Sequence, residues 1–321
     1  MGNSSNNLLL RWCVGTQDTT RLDSFKKESG LLDLIWLAKL SIVSFQRWFP
    51  EARFMLFYNG DDIDKFRSIF DAVQLPLLKD IEFVHQTFKE GKFKNPYHYV
   101  PQGVWWKWVP FRFDDSYHEI SIDTDIICIR KPQEWIKWIE GDAEIILAPE
   151  RFPEILVNTC GDFHKHPVLR GKKPLNCGIV GHRAGYDYSE RFFAITREIR
   201  YGYTHDSLFI TEQGAINIWA YSLELENKKL YILDFEKCAW VRDFIYYLEK
   251  GIEVETVHAT TWHKRIIKGF KTILERRVLE DYPDDQFLYD ILAAAKDLDY
   301  HSQYVVRRQL GIDQKQIEFF F

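Results

Sequence analysis

Two carboxylates one residue apart interrupt an apolar run in His118-Glu119-Ile120-Ser121-Ile122-Asp123-Thr124-Asp125-Ile126-Ile127. Carboxylates at the end of a buried strand are costly unless a cation or a hydrogen-bonding partner compensates them. Where the backbone turns, Asp123 and Asp125 can converge on one hard divalent ion, and that ion can bridge the oxygens of a diphosphate. A solvated turn is the other meaning of the same three residues, because D-x-D recurs by chance.

Three later segments bear on the choice. Leu175-Asn176-Cys177-Gly178-Ile179-Val180 puts a small polar step inside an apolar strand. Gly178 permits close backbone approach and Asn176 both donates and accepts hydrogen bonds, although a purely structural β-bulge would look the same. Thr211-Glu212-Gln213-Gly214-Ala215-Ile216-Asn217 reads as a helix start capped by Thr211, with Glu212 in the first turn. Val257-His258-Ala259-Thr260-Thr261-Trp262-His263-Lys264 ends a strand in an imidazole and leads to a cation. His258 can complete the shell of an ion and Lys264 can neutralise phosphate charge. His263 and Arg265 are either further anion contacts or a solvated basic turn.

In order and approximate spacing, Asp123-x-Asp125, Asn176-Cys177-Gly178, Glu212-Gln213 with Asn217, and His258 six residues before Lys264 resemble the glycogenin and galactinol-synthase type of glycosyltransferase. The match runs from about Leu8 to Lys264, and the combination is far more specific than any member of it. Three positions depart from the family pattern: Cys177 stands for Ser or Thr, Glu212 for Asp, and Thr261 for Gly.

The resemblance implies a GT-A fold and transfer of a sugar from a nucleoside diphosphate donor, with UDP the family prior and GDP an option, to a hydroxyl acceptor on a glycan, lipid or protein. It implies Mn2+ or Mg2+ held by Asp125 and His258, with Asp123 shared between the metal and the donor; Thr124 lies among these contacts. Gly15 and Thr16, at the end of the first strand, fall where such enzymes receive the base. Asn176, Glu212 and Gln213 would hold the donor sugar near its anomeric carbon, with Gln213 on the reacting face if the configuration is retained. Glu212 could instead serve an inverting enzyme as a base. The ion and Lys264 would stabilise charge on the departing diphosphate. Lys107, within Trp105-Trp106-Lys107-Trp108, either touches the donor or snorkels outward from a packed cluster. A metal-dependent phosphoesterase or nucleotidyltransferase, or a non-catalytic protein binding sugar nucleotides, would use similar residues.

The elements that must position these groups follow from hydrophobic periodicity and turn residues. The first half alternates strand and helix patterns, the signature of an α/β fold with a Rossmann-like, mostly parallel sheet flanked by helices. Strands are expected at Leu8 to Val14, Arg53 to Tyr58, Ile81 to Val84, Glu119 to Ile122 resuming as Ile126 to Ile129, Glu144 to Leu147, Leu175 to Gly181, Leu230 to Leu233 and Glu255 to His258. Helices are expected at Leu31 to Phe49 with Pro50 as the stop, Ile63 to Val73, Gln133 to Ile139, Tyr188 to Arg200 and Thr211 to Tyr221. Val104 to Phe113 reads as a short aromatic helix broken near Pro110. Residues 1–270 would form the GT-A catalytic domain and 271–321 a helical extension packed on it, with no linker or repeat between them.

The net charge of −5 gives no broad attraction to nucleic acid, so that partner is not expected. Five scattered cysteines without a C-x-x-C pair fit a reducing compartment. The chain shows no apolar run long enough for a transmembrane segment and no secretory pattern at its start, which points to a cytoplasmic protein. Gly2 does not complete a myristoylation pattern, because Asn6 stands where Ser or Thr is required. Aromatics are abundant at 16%, enough to stack sugar rings as well as to fill a core.

Overall fold

The computed structural model describes residues 7–14, 28–60, 62–86, 107–150, 165–202, 208–259 and 264–297. Strands β1 (Leu8–Val14), β2 (Arg53–Tyr58) and β3 (Glu82–His85) lie parallel and alternate with helices α1 (Glu28–Gln46) and α2 (Ile63–Ala72). Asp62 caps α2 by accepting the Lys65 amide at 2.9 Å, which satisfies one of the amides that a helix start leaves open. Strand β4 (His118–Ile122) joins β1 in parallel, and β7 (Leu175–His182) runs antiparallel between β4 and β6 (Ile145–Pro149). Strand β8 (Leu230–Ile232) ends the sheet, whose order is β3-β2-β1-β4-β7-β6-β8.

A second sheet has the order β5-β10-β9, built from β5 (Ile126–Cys128), β9 (Cys238–Trp240) and β10 (Thr256–His258). The apolar run from Glu119 to Ile129 is therefore not one interrupted strand. Its two halves belong to different sheets, and the D-x-D is the crossing between them. Sequence patterning alone misses β9 and the helix that follows it, α6 (Val241–Glu249).

Helix α1 lies between the two sheets. Its Ile35, Ala38, Ile42 and Phe45 pack on the large sheet with α3 (Gln133–Glu140), while Trp36, Leu37, Leu40 and Val43 pack on the small one. Apolar on both faces, α1 is buried as a central helix should be. The opposite face of the large sheet is covered by α4 (Ser189–Gly202) and α5 (Leu208–Leu225). Helix α5 starts three residues before Thr211, so Thr211 is not its cap and Glu212 lies in its second turn; Leu208-Phe209-Ile210, with no turn residue among them, let the helix run upstream of Thr211.

The last helices among the described residues, α7 (Lys264–Leu279) and α8 (Asp284–Asp297), share the core of the small sheet. Helix α7 runs through position 270, at which the sequence reading divides the chain, and it begins upstream of Lys271. Buried Arg277 fastens it, donating through Nε to the Ile129 carbonyl at 2.7 Å. No helix among the described residues is long and apolar enough to cross a membrane.

Of the expected short helix, 104–106 lie outside the described residues, 107–108 are in a 3-10 turn, and the chain bends away at the cis Val109–Pro110 bond, where proline lacks the amide a helix interior needs. Buried Arg11 of β1 holds this segment, donating to the carbonyls of Pro110 at 2.7 Å and Phe111 at 2.9 Å. Arg11 also pairs with buried Glu119 at 3.1 Å, and Glu119 accepts the amides of Phe113 and Asp114 at 2.9 and 3.0 Å. One buried ion pair thus ties β1, β4 and the segment that carries Lys107. Removing one member of such a pair strands a buried charge. Arg11→Met is expected to cost about 3 kcal/mol in chemical denaturation, with partial recovery in Arg11→Met/Glu119→Gln; unchanged stability of the single variant would contradict this role.

Burial, aided by Arg183 and Arg112, lowers the pKa of His118 from 6.5 to about 4. Burial also holds His182 well below the usual histidine value, with Arg112 and Arg11 acting in the same direction. Between these values the unfolded chain binds more protons than the folded one, so stability is lost as pH falls from about 6.5 to 4. The Tm should drop across that window, and His118→Gln/His182→Gln should flatten the drop relative to the parent.

Candidate active site

Strand β4 ends at Ile122, which pairs with Ile179 of β7, and the Asp123 amide extends the ladder by donating to the Gly178 carbonyl at 2.8 Å. The chain then turns through Thr124, with the Ile126 amide donating to the Asp123 carbonyl at 3.1 Å, and enters the small sheet as β5. Strand β10 is antiparallel to β5 with His258 opposite Ile126, and the Ala259 amide donates to the Asp125 carbonyl at 2.7 Å. This register brings an imidazole from late in the chain beside the two carboxylates.

Asp123, Asp125 and His258 each offer a ligand atom, and these atoms lie within 4.8 Å of one another. His258 Nε2 is 3.2 Å from Asp125 Oδ1, and the three side chains are half-buried. Two carboxylates and one imidazole form a donor set that suits a divalent ion of Mn2+ or Mg2+ type. Burial opposes protonation of His258, but Asp125, with Asp123 and Glu150, outweighs it and raises the pKa above the usual histidine value. The cluster thus attracts positive charge. Trp240, opposite His258 in the β9 register, sets its ring 4.6 Å from the imidazole.

A second cluster adjoins the first through Lys107. Its ammonium is not snorkelling outward; it sits 2.9 Å from Asp123 Oδ1 and 2.7 Å from Glu212 Oε1. It also donates to the Cys177 carbonyl at 3.2 Å. Burial works against the charged Lys107, but Asp123, Cys177 and Glu212 raise its pKa well above the usual lysine value. Trp108 Nε1 donates to Glu212 at 2.8 Å, so the Glu212 carboxylate is held from two sides.

Glu150, just past the end of β6, accepts from Gln213 Nε2 at 2.6 Å and Asn176 Nδ2 at 3.2 Å. Asn176 Oδ1 in turn accepts the Gly178 amide at 2.7 Å. Asn217 exchanges two hydrogen bonds with the Leu175 backbone, at 2.7 and 2.8 Å, and so fastens α5 to β7. A small cleft beside the acidic pair and His258 is lined by Ile126, Pro149, Asn176, Trp240 and His258.

The structure therefore gathers Lys107, Asp123, Thr124, Asp125, Asn176, Glu212, Gln213 and His258 around the end of β4. Gly15 and Thr16 lie outside the described residues. Lys264 is placed as the first residue of α7, and its side chain lies outside the described part.

Compared with known proteins, the chain matches no family model and no curated protein sequence. Solved structures do match. A galactosyltransferase, LgtC, in complex with donor and acceptor sugar analogues, is 11% identical, with a TM-score of 0.50 over 86% of this chain and 98% of that one. Mouse xyloside xylosyltransferase 1 is 12% identical with a TM-score of 0.47, covering 79% of this chain and 97% of that one. The fold is of the GT-A type.

Within this GT-A frame, two residues at the site escaped the sequence reading. Glu150 could have been noticed as a carboxylate at the carboxyl end of a strand, where open α/β sheets place ligands. Trp240 ends a strand too short to be read. Gly178 is required sterically, not for its backbone angles. A Cβ there would meet Asn176 Oδ1 at 2.7 Å, Ile126 Cδ1 at 3.1 Å and Asp123 Oδ2 at 3.2 Å. Gly178→Ala is expected to cost about 1–3 kcal/mol in urea denaturation, as overpacking does; a variant as stable as the parent would mean the carboxylate and amide have room to move.

Proposed function

We propose that the protein is a metal-dependent glycosyltransferase that moves a sugar from a nucleoside diphosphate donor to a hydroxyl acceptor. The observation that carries this reading is the convergence of Asp123, Asp125 and His258 at the crossing between the sheets. Asp125 and His258 would hold Mn2+ or Mg2+, with Asp123 shared between the ion and the donor. The ion would supply Lewis-acid stabilisation of charge on the departing diphosphate. Lys264 would add a second positive charge there, and Gly15 with Thr16 would receive the base, for which UDP is the first candidate and GDP the second.

The remaining residues act by preorganisation. Glu150 fixes the amide planes of Asn176 and Gln213, so that their polar atoms meet the donor sugar already oriented. Lys107 bridges Asp123 and Glu212, and Lys107 and Trp108 together hold Glu212 Oε1, which fixes how the carboxyl group is presented to the sugar. Retention, with Gln213 on the reacting face, is the stereochemistry the arrangement favours, because Glu212 is already committed to Lys107 and Trp108. A reducing cytosol fits the free thiols of Cys13, Cys128, Cys177 and Cys238.

The test is turnover of a panel of UDP- and GDP-sugars with Mn2+, read as released nucleoside diphosphate and sugar. Asp125→Ala and His258→Ala are each expected to lower it roughly 100-fold or more, and a chelator to abolish it. Turnover unaffected by chelator would overturn the metal reading, and release of sugar phosphate would favour a phosphoesterase.

A further inference from the structure

Strand β5 is the edge of the small sheet, with β10 on one side only. An edge strand of three residues leaves backbone groups without a ladder partner. Residues two apart on a strand turn these groups to the same edge, and residues three apart on a helix share a face. Both conditions meet where α1 crosses β5. Ser41 Oγ donates to the Ile126 carbonyl, and Ser44 Oγ accepts the Cys128 amide at 2.9 Å. Both serines are fully buried. Two hydroxyls of a helix thus occupy the place of a further strand.

Ser41 does more than close this edge. Its Oγ also accepts Trp12 Nε1 of β1 at 2.9 Å, so one hydroxyl joins the large sheet, the central helix and the small sheet. The joined carbonyl belongs to Ile126, the residue directly after Asp125 and the register partner of His258. Ser44 Oγ in turn donates to the Ser41 carbonyl at 2.6 Å, which fixes its own orientation. Alanine would suit the interior of an apolar helix better on propensity alone.

We propose that Ser41 and Ser44 are positioning residues for the Asp123, Asp125 and His258 centre, setting its donor spacing by fixing β5 between the two sheets. The inference rests on the metal reading of that centre. Neither serine touches the ion; each acts through the backbone on either side of Ile127. Partners that orient ligands typically change metal affinity 10- to 100-fold when removed.

The experiment compares Ser44→Ala and Ser41→Ala/Ser44→Ala with the parent. Ile139→Val, a core truncation on α3, serves as a control for lost stability. Mn2+ affinity is read from the electron paramagnetic resonance signal of free Mn2+, and amide hydrogen exchange over 126–128 is read on metal-free protein. The expected result is a Kd for Mn2+ raised about tenfold in the double variant and less in Ser44→Ala, with faster exchange at 126–128 and an unchanged Kd in the control. A Kd equal to that of the parent in both serine variants, or one raised equally by Ile139→Val, would overturn the positioning role while leaving the metal reading intact. A parent protein that binds no Mn2+ would instead overturn the metal reading and this inference with it; faster exchange in the variants would then report only a structural bond.

Discussion

The structure turns on one passage of backbone, from Asp123 to Asp125, where the chain leaves the large sheet and enters the small one. Strands end there by necessity, because Ile122 pairs with β7 and Ile126 pairs with β10. The crossing leaves two carboxylates half-buried between the sheets, and the register of β10 delivers an imidazole to the same place. Mutual repulsion between the two acids is relieved on one side by Lys107 and on the other by His258. A bound cation would relieve it more fully, which is why the arrangement reads as a site rather than a turn.

Much of the remaining molecule secures that passage. The Arg11–Glu119 pair fixes the segment that delivers Lys107. Helix α1 spaces the two sheets, and α7 reinforces it through Trp36 Nε1 donating to Glu275 at 2.7 Å. Asn217 holds α5 against β7, which places Glu212 and Gln213 opposite Asn176 and Cys177. The Lys107 ammonium then couples this half of the site to the acidic pair. Strands and helices, not loops, carry the described side chains of the site named here except those of the crossing, Lys107, Trp108 and Glu150.

The strands at Leu8–Val14 and Arg53–Tyr58 were legible residue for residue, because each is a short, nearly continuous apolar run closed by turn residues. The D-x-D, His258, Asn176, Glu212 and Gln213 stood out by residue type, but each had a structural alternative, and it was the family resemblance that implied one shared site. What periodicity could not carry was pairing. Nothing in the run from Glu119 to Ile129 announces that it feeds two sheets, since apolar patterning reports burial and not which strand lies alongside. The choice between the two readings of Lys107, inward to the donor or outward from the aromatic cluster, was closed to sequence for a related reason: its partner Glu212 is remote in the chain, and a lysine beside tryptophans usually snorkels. Thr211 resembled a helix cap because capping chemistry is local, whereas α5 begins at Leu208.

The claim at the centre of this account is that both carboxylates and the imidazole bind one ion. Pulsed electron paramagnetic resonance of the protein loaded with one equivalent of Mn2+ tests it most directly, because a ligating imidazole couples its nitrogen to the metal electron spin. The account predicts a nitrogen coupling in the parent protein that disappears in His258→Gln while some Mn2+ remains bound by the acids. Bound Mn2+ without nitrogen coupling, or the same coupling after His258 is replaced, would contradict it.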